Sequence, residues 1–155
     1  MRELDGAGTR SVVAVQRLQA AYGDAVTRRA WQEVVALFTA EASVHIDTRT
    51  RPAFTLADPQ AIATFIEQSL EGFAFFEFAI LNAVVELTGE TTANGRVYIC
   101  ELRHDHAGEW TQAYGLYRDR YRRSDGHWRI ADRRYTSWAR TGARVESFVF
   151  PDPPH

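Results

Sequence analysis

The feature that most constrains this chain is a change of pattern at residue 73. From Phe73 onward, long apolar-rich runs are cut by three compact turn signals, GETTANG at 89–95, DHAGE at 105–109 and SDGH at 124–127. Alternating runs separated by Gly- and Asp-bearing turns mark an antiparallel meander, so this half predicts four strands joined by three hairpins. Upstream the period is helical. Tyr22 and Val26 stand one turn apart, and Trp31, Val34, Val35 and Phe38 carry an apolar face beyond the Arg28-Arg29 break. A first helix over Ser11 to Arg28 and a second running through Phe38 follow, with SVHID at 43–47 as a short strand. Asp58 as N-cap, Pro59 at the first helical position, Ile62, Phe65, Ile66 and Leu70 on one face, and Gly72 as C-terminal cap predict a third helix. Helices covering a curved antiparallel sheet make an α+β domain, and the covered space is either core or pocket.

At 155 residues the chain is about one domain: residues 1–10 read as a loose lead-in, 11–150 as the domain and the proline-rich 151–155 as a tail. Residues 49–56, with Arg49, Arg51 and Pro52, read as a loop or a lid. The formal charge of −2 offers no field for nucleic acid. Every basic side chain is Arg, and the absence of Lys removes Schiff-base chemistry and lysine-based phosphate cradles. Cys100 alone makes neither an internal disulfide nor a cysteine-rich zinc site. With no apolar N-terminal run, a cytoplasmic location and no membrane partner are expected.

Glu101 is the residue most in need of explanation. Alternation puts Val97, Ile99, Glu101 and Arg103 on one face and Tyr98, Cys100, Leu102 and His104 on the other, so a carboxylate interrupts an apolar face. Such a group is either paired with an arginine or placed for general acid or base work. Tyr22 is either a core aromatic or a hydroxyl set to bond a substrate oxygen. His45 and Asp47 share a face and make a candidate His/carboxylate unit. Asp24 reads as a solvated aspartate. His104 and His106 lack a clear third ligand, so no metal and no cofactor are expected. Phe76, Phe78, Ile80 and Asn82 would form a mostly apolar wall with one amide to orient a polar group. Gly115, Tyr117, Asp119 and Tyr121 share a face of the next-to-last strand, with Asp119 expected to pair Arg133 or Arg134. On the last strand Trp128 and Ile130 read as core.

The order of these elements, with Tyr22 and Asp24 on the first helix, Trp31 opening the second and a strand after an acidic turn, resembles the NTF2-like superfamily. The likeness is greatest to its SnoaL-like, scytalone-dehydratase-like, bile-acid-dehydratase-like and ketosteroid-isomerase-like branches. It covers nearly the whole chain and implies a cone-shaped fold, helices on a strongly curved antiparallel sheet enclosing a pocket. In the bile-acid-dehydratase-like branch, the stretch similar to GRVYICE carries a catalytic acidic residue where Glu101 falls, and the first helix carries a pocket tyrosine where Tyr22 falls. Thr27 stands where the dehydratases carry a catalytic aspartate, and FFEFAILN at 75–82 has no histidine where they carry one. A gapped alternative alignment puts His106 at a catalytic histidine of the scytalone-dehydratase-like branch. GLYRDRY at 115–121 is similar to family segments in which the positions of Gly115 and Tyr117 line the cavity, and Trp138 falls near the pocket mouth or a subunit interface.

The resemblance implies a small hydrophobic, cyclic, polyketide- or steroid-like ligand. A cofactor-independent isomerase, cyclase or dehydratase would use Glu101, Tyr22 and His45 for chemistry and Asn82, Phe78, Thr27, Gly115, Tyr117 and Trp138 to hold substrate. The alternative is a non-catalytic binding or scaffolding domain. A third, epoxide-hydrolase-like reading needs an Asp-Arg-Asp relay that the sequence does not assign. A homodimer through the outer sheet face is expected.

Overall fold

A computed structural model describes residues 4–143 and 147–149. Its elements are α1 (Gly6–Thr27), α2 (Trp31–Ala36), β1 (Phe38–Asp47), β2 (Phe54–Ala57), α3 (Pro59–Leu70), β3 (Phe73–Leu87), β4 (Thr92–Asp105), β5 (Trp110–Ser124), β6 (His127–Gly142) and β7 (Phe148–Val149). The four long strands and their hairpins fall where the turn signals put them. The expected 151–155 tail lies outside the described residues.

Helix α1 begins five residues earlier than Ser11, because Asp5 supplies an N-cap whose carboxylate accepts from the Gly8 amide at 2.7 Å. Val15, Leu18, Tyr22, Ala25 and Val26 then repeat at helical spacing and are buried. The helix ends at Thr27. Arg29 takes a left-handed φ of 59° and its guanidinium donates to the Phe73 carbonyl at 2.7 Å, so the chain turns sharply into α2. Helix α2 stops at Ala36, and Phe38 opens β1 rather than closing the helix. In α3, Asp58 caps the Gln60 amide at 3.1 Å. The C-terminal cap is Glu71 in a right-handed conformation rather than Gly72, whose φ is not positive.

One curled, unclosed sheet runs in the order β2-β1-β6-β5-β4-β3, with β7 on β6. All pairs are antiparallel except β1 with β6. Residues 54–57, read as loop or lid, add the edge strand β2. Register shifts interrupt β3 between Ile80 and Asn82, and interrupt the β5–β6 pairing at Tyr114/Gly115 and Arg120/Tyr121. Each extra residue bends its strand and raises its twist, and together they curl the sheet around α1 and α3. The core fills one end of the cone, with Val15, Val34, Ile62 and Ile130 fully or almost fully buried.

Candidate functional site

Strand pairing sorts the concave face into rows. Phe78, Glu101, Ala113 and Arg140 form one row, and Ile80, Ile99, Gly115 and Ser137 the next. Beyond them come Ala83, Val97, Tyr117 and Tyr135, then Val85, Gly95, Asp119 and Arg133. Between these rows and the helices lies a cavity of about 390 Å³. Its walls are largely apolar, from Val26, Ile46, Ile62, Phe65, Phe76 and Phe78, and its polar lining includes Tyr22, Glu101, Arg103, Tyr117, Arg133, Tyr135 and Arg140. A depression of about 480 Å³ on the outer face is edged by Arg96, Arg118, Arg120 and Arg134. Its charged walls offer little to an apolar ligand, and the concave cavity is the better site on chemical grounds.

The inner end of the cavity is built on a buried polar chain. Gln19 donates to the Tyr121 hydroxyl at 2.7 Å, and that hydroxyl donates to Asp119 at 2.6 Å. Arg133 donates to both Asp119 oxygens, at 2.8 and 2.7 Å, and both side chains are almost wholly buried, at 2% and 0% exposure. The guanidinium carbon of Arg133 lies 4.2 Å from the ring centroid of Tyr22 and 4.0 Å from that of Tyr117. Its Nη1 is buried without a hydrogen-bond partner among the described residues. Burial alone would pull Arg133 down, and Asp119 more than reverses this, so the guanidinium stays charged. Burial raises the Tyr22 hydroxyl, Arg133 and Tyr117 act against the rise, and Glu101 adds to it. Tyr117 is raised by burial, with Tyr22 and Glu101 adding. Tyr135 is raised by burial and then by Glu101. All three hydroxyls are therefore protonated donors at neutral pH.

Glu101 is paired and also faces the cavity. Arg103 grips it through Nε at 3.0 Å and through a second, shorter bond from Nη2, and both end on Oε2. Of the two open readings of Glu101, the arginine partner is present in Arg103, and the paired carboxylate also lines the cavity. Tyr22 joins it in the cavity, edge-on to Phe38, Phe78 and Tyr117, as do Phe78 and Tyr117 themselves.

The other candidates sit elsewhere. His45 alternates with the buried Val44 and Ile46, so it points away from the cavity and its Nδ1 is 3.0 Å from the Thr55 hydroxyl. Asp47 accepts from the Arg49 amide at 2.8 Å, and no His45–Asp47 unit forms. Asn82 is exposed on the outer face: the extra residue Leu81 reverses the alternation, so Ala83 and Val85 take the inward positions. Thr27 is a structural staple whose hydroxyl accepts from the Phe78 amide at 3.0 Å. Gly115 lies under the Tyr135 ring, its missing side chain giving that ring its place. Trp138, the extra residue of a bulge, packs on Tyr98 at 6.2 Å, on the outer side. His104 packs on Trp110 at 4.8 Å, and His106 Nε2 is 3.2 Å from the Glu71 carbonyl. Asp24 is exposed, and the Arg28 guanidinium bonded to it holds its carboxyl below the usual range. Among the described residues, no three His, Cys, Asp or Glu side chains gather as a metal site.

Arg133, Tyr135 and Arg140 were not reached from the sequence as pocket residues. Alternation from Ile130 points Asp132 and Arg134 inward, and only the bulge at Ala131 puts Arg133 there. The Asp119–Arg133 pair supplies an aspartate and the arginine of an Asp-Arg-Asp relay, but no second aspartate is among the described cavity residues.

A family model described as a SnoaL-like domain matches residues 9–134. A comparison with curated protein sequences finds no match. Among solved structures, a putative scytalone dehydratase from Novosphingobium aromaticivorans is similar at a TM-score of 0.81 and 19% identity, over 96% of this chain and 98% of the other. The hexachlorocyclohexane dehydrochlorinase LinA-type3 from Novosphingobium barchaimii is similar at 0.76 and 16%, over 94% and 98%. The beta subunit of a putative aromatic-ring-hydroxylating dioxygenase from N. aromaticivorans follows at 0.70 and 18%, over 83% and 90%. At these identities the likeness is one of fold.

Proposed function

Because the chain belongs to the SnoaL-like domain family and has its NTF2-like cone fold, we propose that its cavity binds a small hydrophobic, cyclic molecule and catalyses cofactor-independent proton transfer on it. The observation that carries this reading is the placement of the Glu101 carboxylate in the same apolar cavity as Arg133, Tyr22 and Tyr117. Pairing with Arg103 engages Oε2, and Oε1 takes the proton from a carbon next to a carbonyl. Charge then develops on the carbonyl oxygen. The permanently charged Arg133 and the protonated hydroxyls of Tyr22 and Tyr117 stabilise it at no cost of reorganisation. Returning the proton elsewhere gives an isomerase; loss or attack of a neighbouring group gives a dehydratase or cyclase.

The test does not need the natural substrate. The protein is expected to speed exchange of the α-hydrogens of 2-tetralone into heavy water, followed by proton NMR, and Glu101→Gln to slow that exchange by about 100-fold or more. An unchanged exchange rate in Glu101→Gln removes Glu101 from the chemistry.

The second reading is a non-catalytic binding domain. It is favoured by the Arg103 bonds on Glu101 and by the lack of a histidine among the described cavity residues. Binding of 2-tetralone without any exchange would select it. For assembly, we propose a homodimer through the outer sheet face, where Phe75, Leu81, Val84 and Trp110 leave large apolar side chains exposed. Among the described residues no helix is long and apolar enough to cross a membrane; a cytoplasmic location is part of this proposal.

A further inference from the structure

The charge around the cavity does not balance. Arg51, Arg103, Arg133 and Arg140 line it, against the carboxylate of Glu101 in the wall and that of Asp119 behind Arg133. Asp119 takes Arg133 and Glu101 takes Arg103, so Arg51 and Arg140 have no ion-pair partner among the described residues. Arg51 is exposed and rests over the Phe54 ring at 5.1 Å, where water solvates it. Arg140 is different. It projects from the row that holds Glu101, separated from it by the small Ala113, and its Nε is buried with no hydrogen-bond partner among the described residues. A buried N–H of a charged group left unbonded is costly, and such a group calls for a partner from water, an ion or a ligand. The same condition holds at Nη1 of Arg133, a side chain 2% exposed.

We propose that the ligand of this cavity is an organic carboxylate, its apolar ring system against the phenylalanine wall and its carboxylate on Arg140. The assignment rests on the small-molecule reading above and narrows its small, hydrophobic, cyclic ligand to an anionic one. A carboxylate is the anion of choice because its two coplanar oxygens match the parallel N–H donors of one guanidinium, which binds them side by side. The Phe78 ring stands at the far end of the row of Arg140, so the charged group and the apolar wall face the same cavity. Arg103 is already engaged by Glu101 and does not compete for the anion.

Calorimetric titration with 2-naphthoate, its neutral isostere 2-naphthamide and 2-naphthyl phosphate tests the assignment on the intact protein. Naphthoate is expected to bind at least tenfold more tightly than the amide. Arg140→Met should erase that preference, weakening naphthoate far more than the amide, and Arg140→Lys should retain part of it. Amide binding equal to or tighter than naphthoate, or a preference unchanged in Arg140→Met, overturns the proposal while leaving the small-molecule reading intact. Tighter binding of naphthyl phosphate overturns the choice of carboxylate. Binding of none of the three overturns both readings.

Discussion

The ring of Tyr135 occupies the space that a side chain at residue 115 would fill: a Cβ on Gly115 would lie 2.2 Å from Tyr135 Cε2 and 2.9 Å from its Cζ. Gly115 and Tyr135 are on neighbouring strands, two residues apart in register, so the tyrosine leans along β6 and across β5. The lean puts it within the field of Glu101, which helps raise its hydroxyl after burial has done so. A glycine in the middle of a strand is therefore what lets a cavity residue lie flat.

Gly115→Ala is accordingly expected to destabilise the protein by about 1–3 kcal/mol, the usual cost of overpacking, and to displace Tyr135 from the cavity. Urea denaturation of Gly115→Ala, Tyr135→Leu and the double variant reads the coupling directly. If the steric account holds, Gly115→Ala costs less in the Tyr135→Leu background. Additive effects would place the cost in the β5 backbone instead.

The buried Asp119–Arg133 pair predicts an asymmetry between breaking and replacing it. Asp119→Asn leaves a guanidinium in the core without its counter-ion and is expected to cost about 3–5 kcal/mol. Replacing both partners, Asp119→Leu with Arg133→Met, also removes the acceptor of the Tyr121 hydroxyl, yet should recover much of that loss. Thermal melts of the two variants decide the point. A double replacement as unstable as Asp119→Asn would show that the pair is kept for the polar chain from Gln19 rather than for charge balance.

How much of this was legible in the sequence divides at the bulges. Helix spacing, turn residues and caps are local signals, so Tyr22, Phe78, Glu101 and Tyr117 could be assigned their faces by counting. Asn82 was misplaced and Arg133 missed by the same rule, because Leu81 and Ala131 each add a residue that carries no compositional mark. A bulge is chosen by how the whole sheet closes over its helices, which is non-local. Similarly, β2 is held by pairing with β1, since Phe54–Ala57 has no strand pattern strong enough to announce itself. The partner of Glu101 was the simplest available, two residues along its own strand.

Alkaline pH provides a probe of the cavity. Tyr22, Tyr117, Tyr121 and Tyr135 all have hydroxyls raised above the ordinary tyrosine value, in each case chiefly by burial. The unfolded chain releases these protons near pH 10, as ordinary tyrosines do, whereas the folded protein holds them. The stability they contribute is thus fully present below about pH 10 and is lost as pH rises toward the folded values, at about 1.4 kcal/mol per pH unit for each ionising tyrosine. Urea midpoints should be flat across neutral pH and fall steeply above about 10. In the native protein, tyrosinate absorbance from these four should stay silent until unfolding. Early ionisation of several tyrosines, with the fold intact, would mean that water reaches the inner end of the cavity.

Thr27 offers a last, local test, since it joins α1 to β3. Its hydroxyl accepts from the Phe78 amide at 3.0 Å, a bond between residues 51 apart that lies beside the Tyr22–Phe78 ring contact. Thr27→Ala strands a partly buried N–H and is expected to cost about 1–2 kcal/mol, while Thr27→Ser keeps the acceptor and should cost less. Amide hydrogen exchange gives the site-specific readout: Phe78 should exchange faster in Thr27→Ala and nearly as in the parent in Thr27→Ser. Because Phe78 walls the cavity next to Glu101, the same variant should also loosen the grip on 2-tetralone. Unaltered Phe78 exchange in Thr27→Ala would show that the strand is held by its β4 pairing alone.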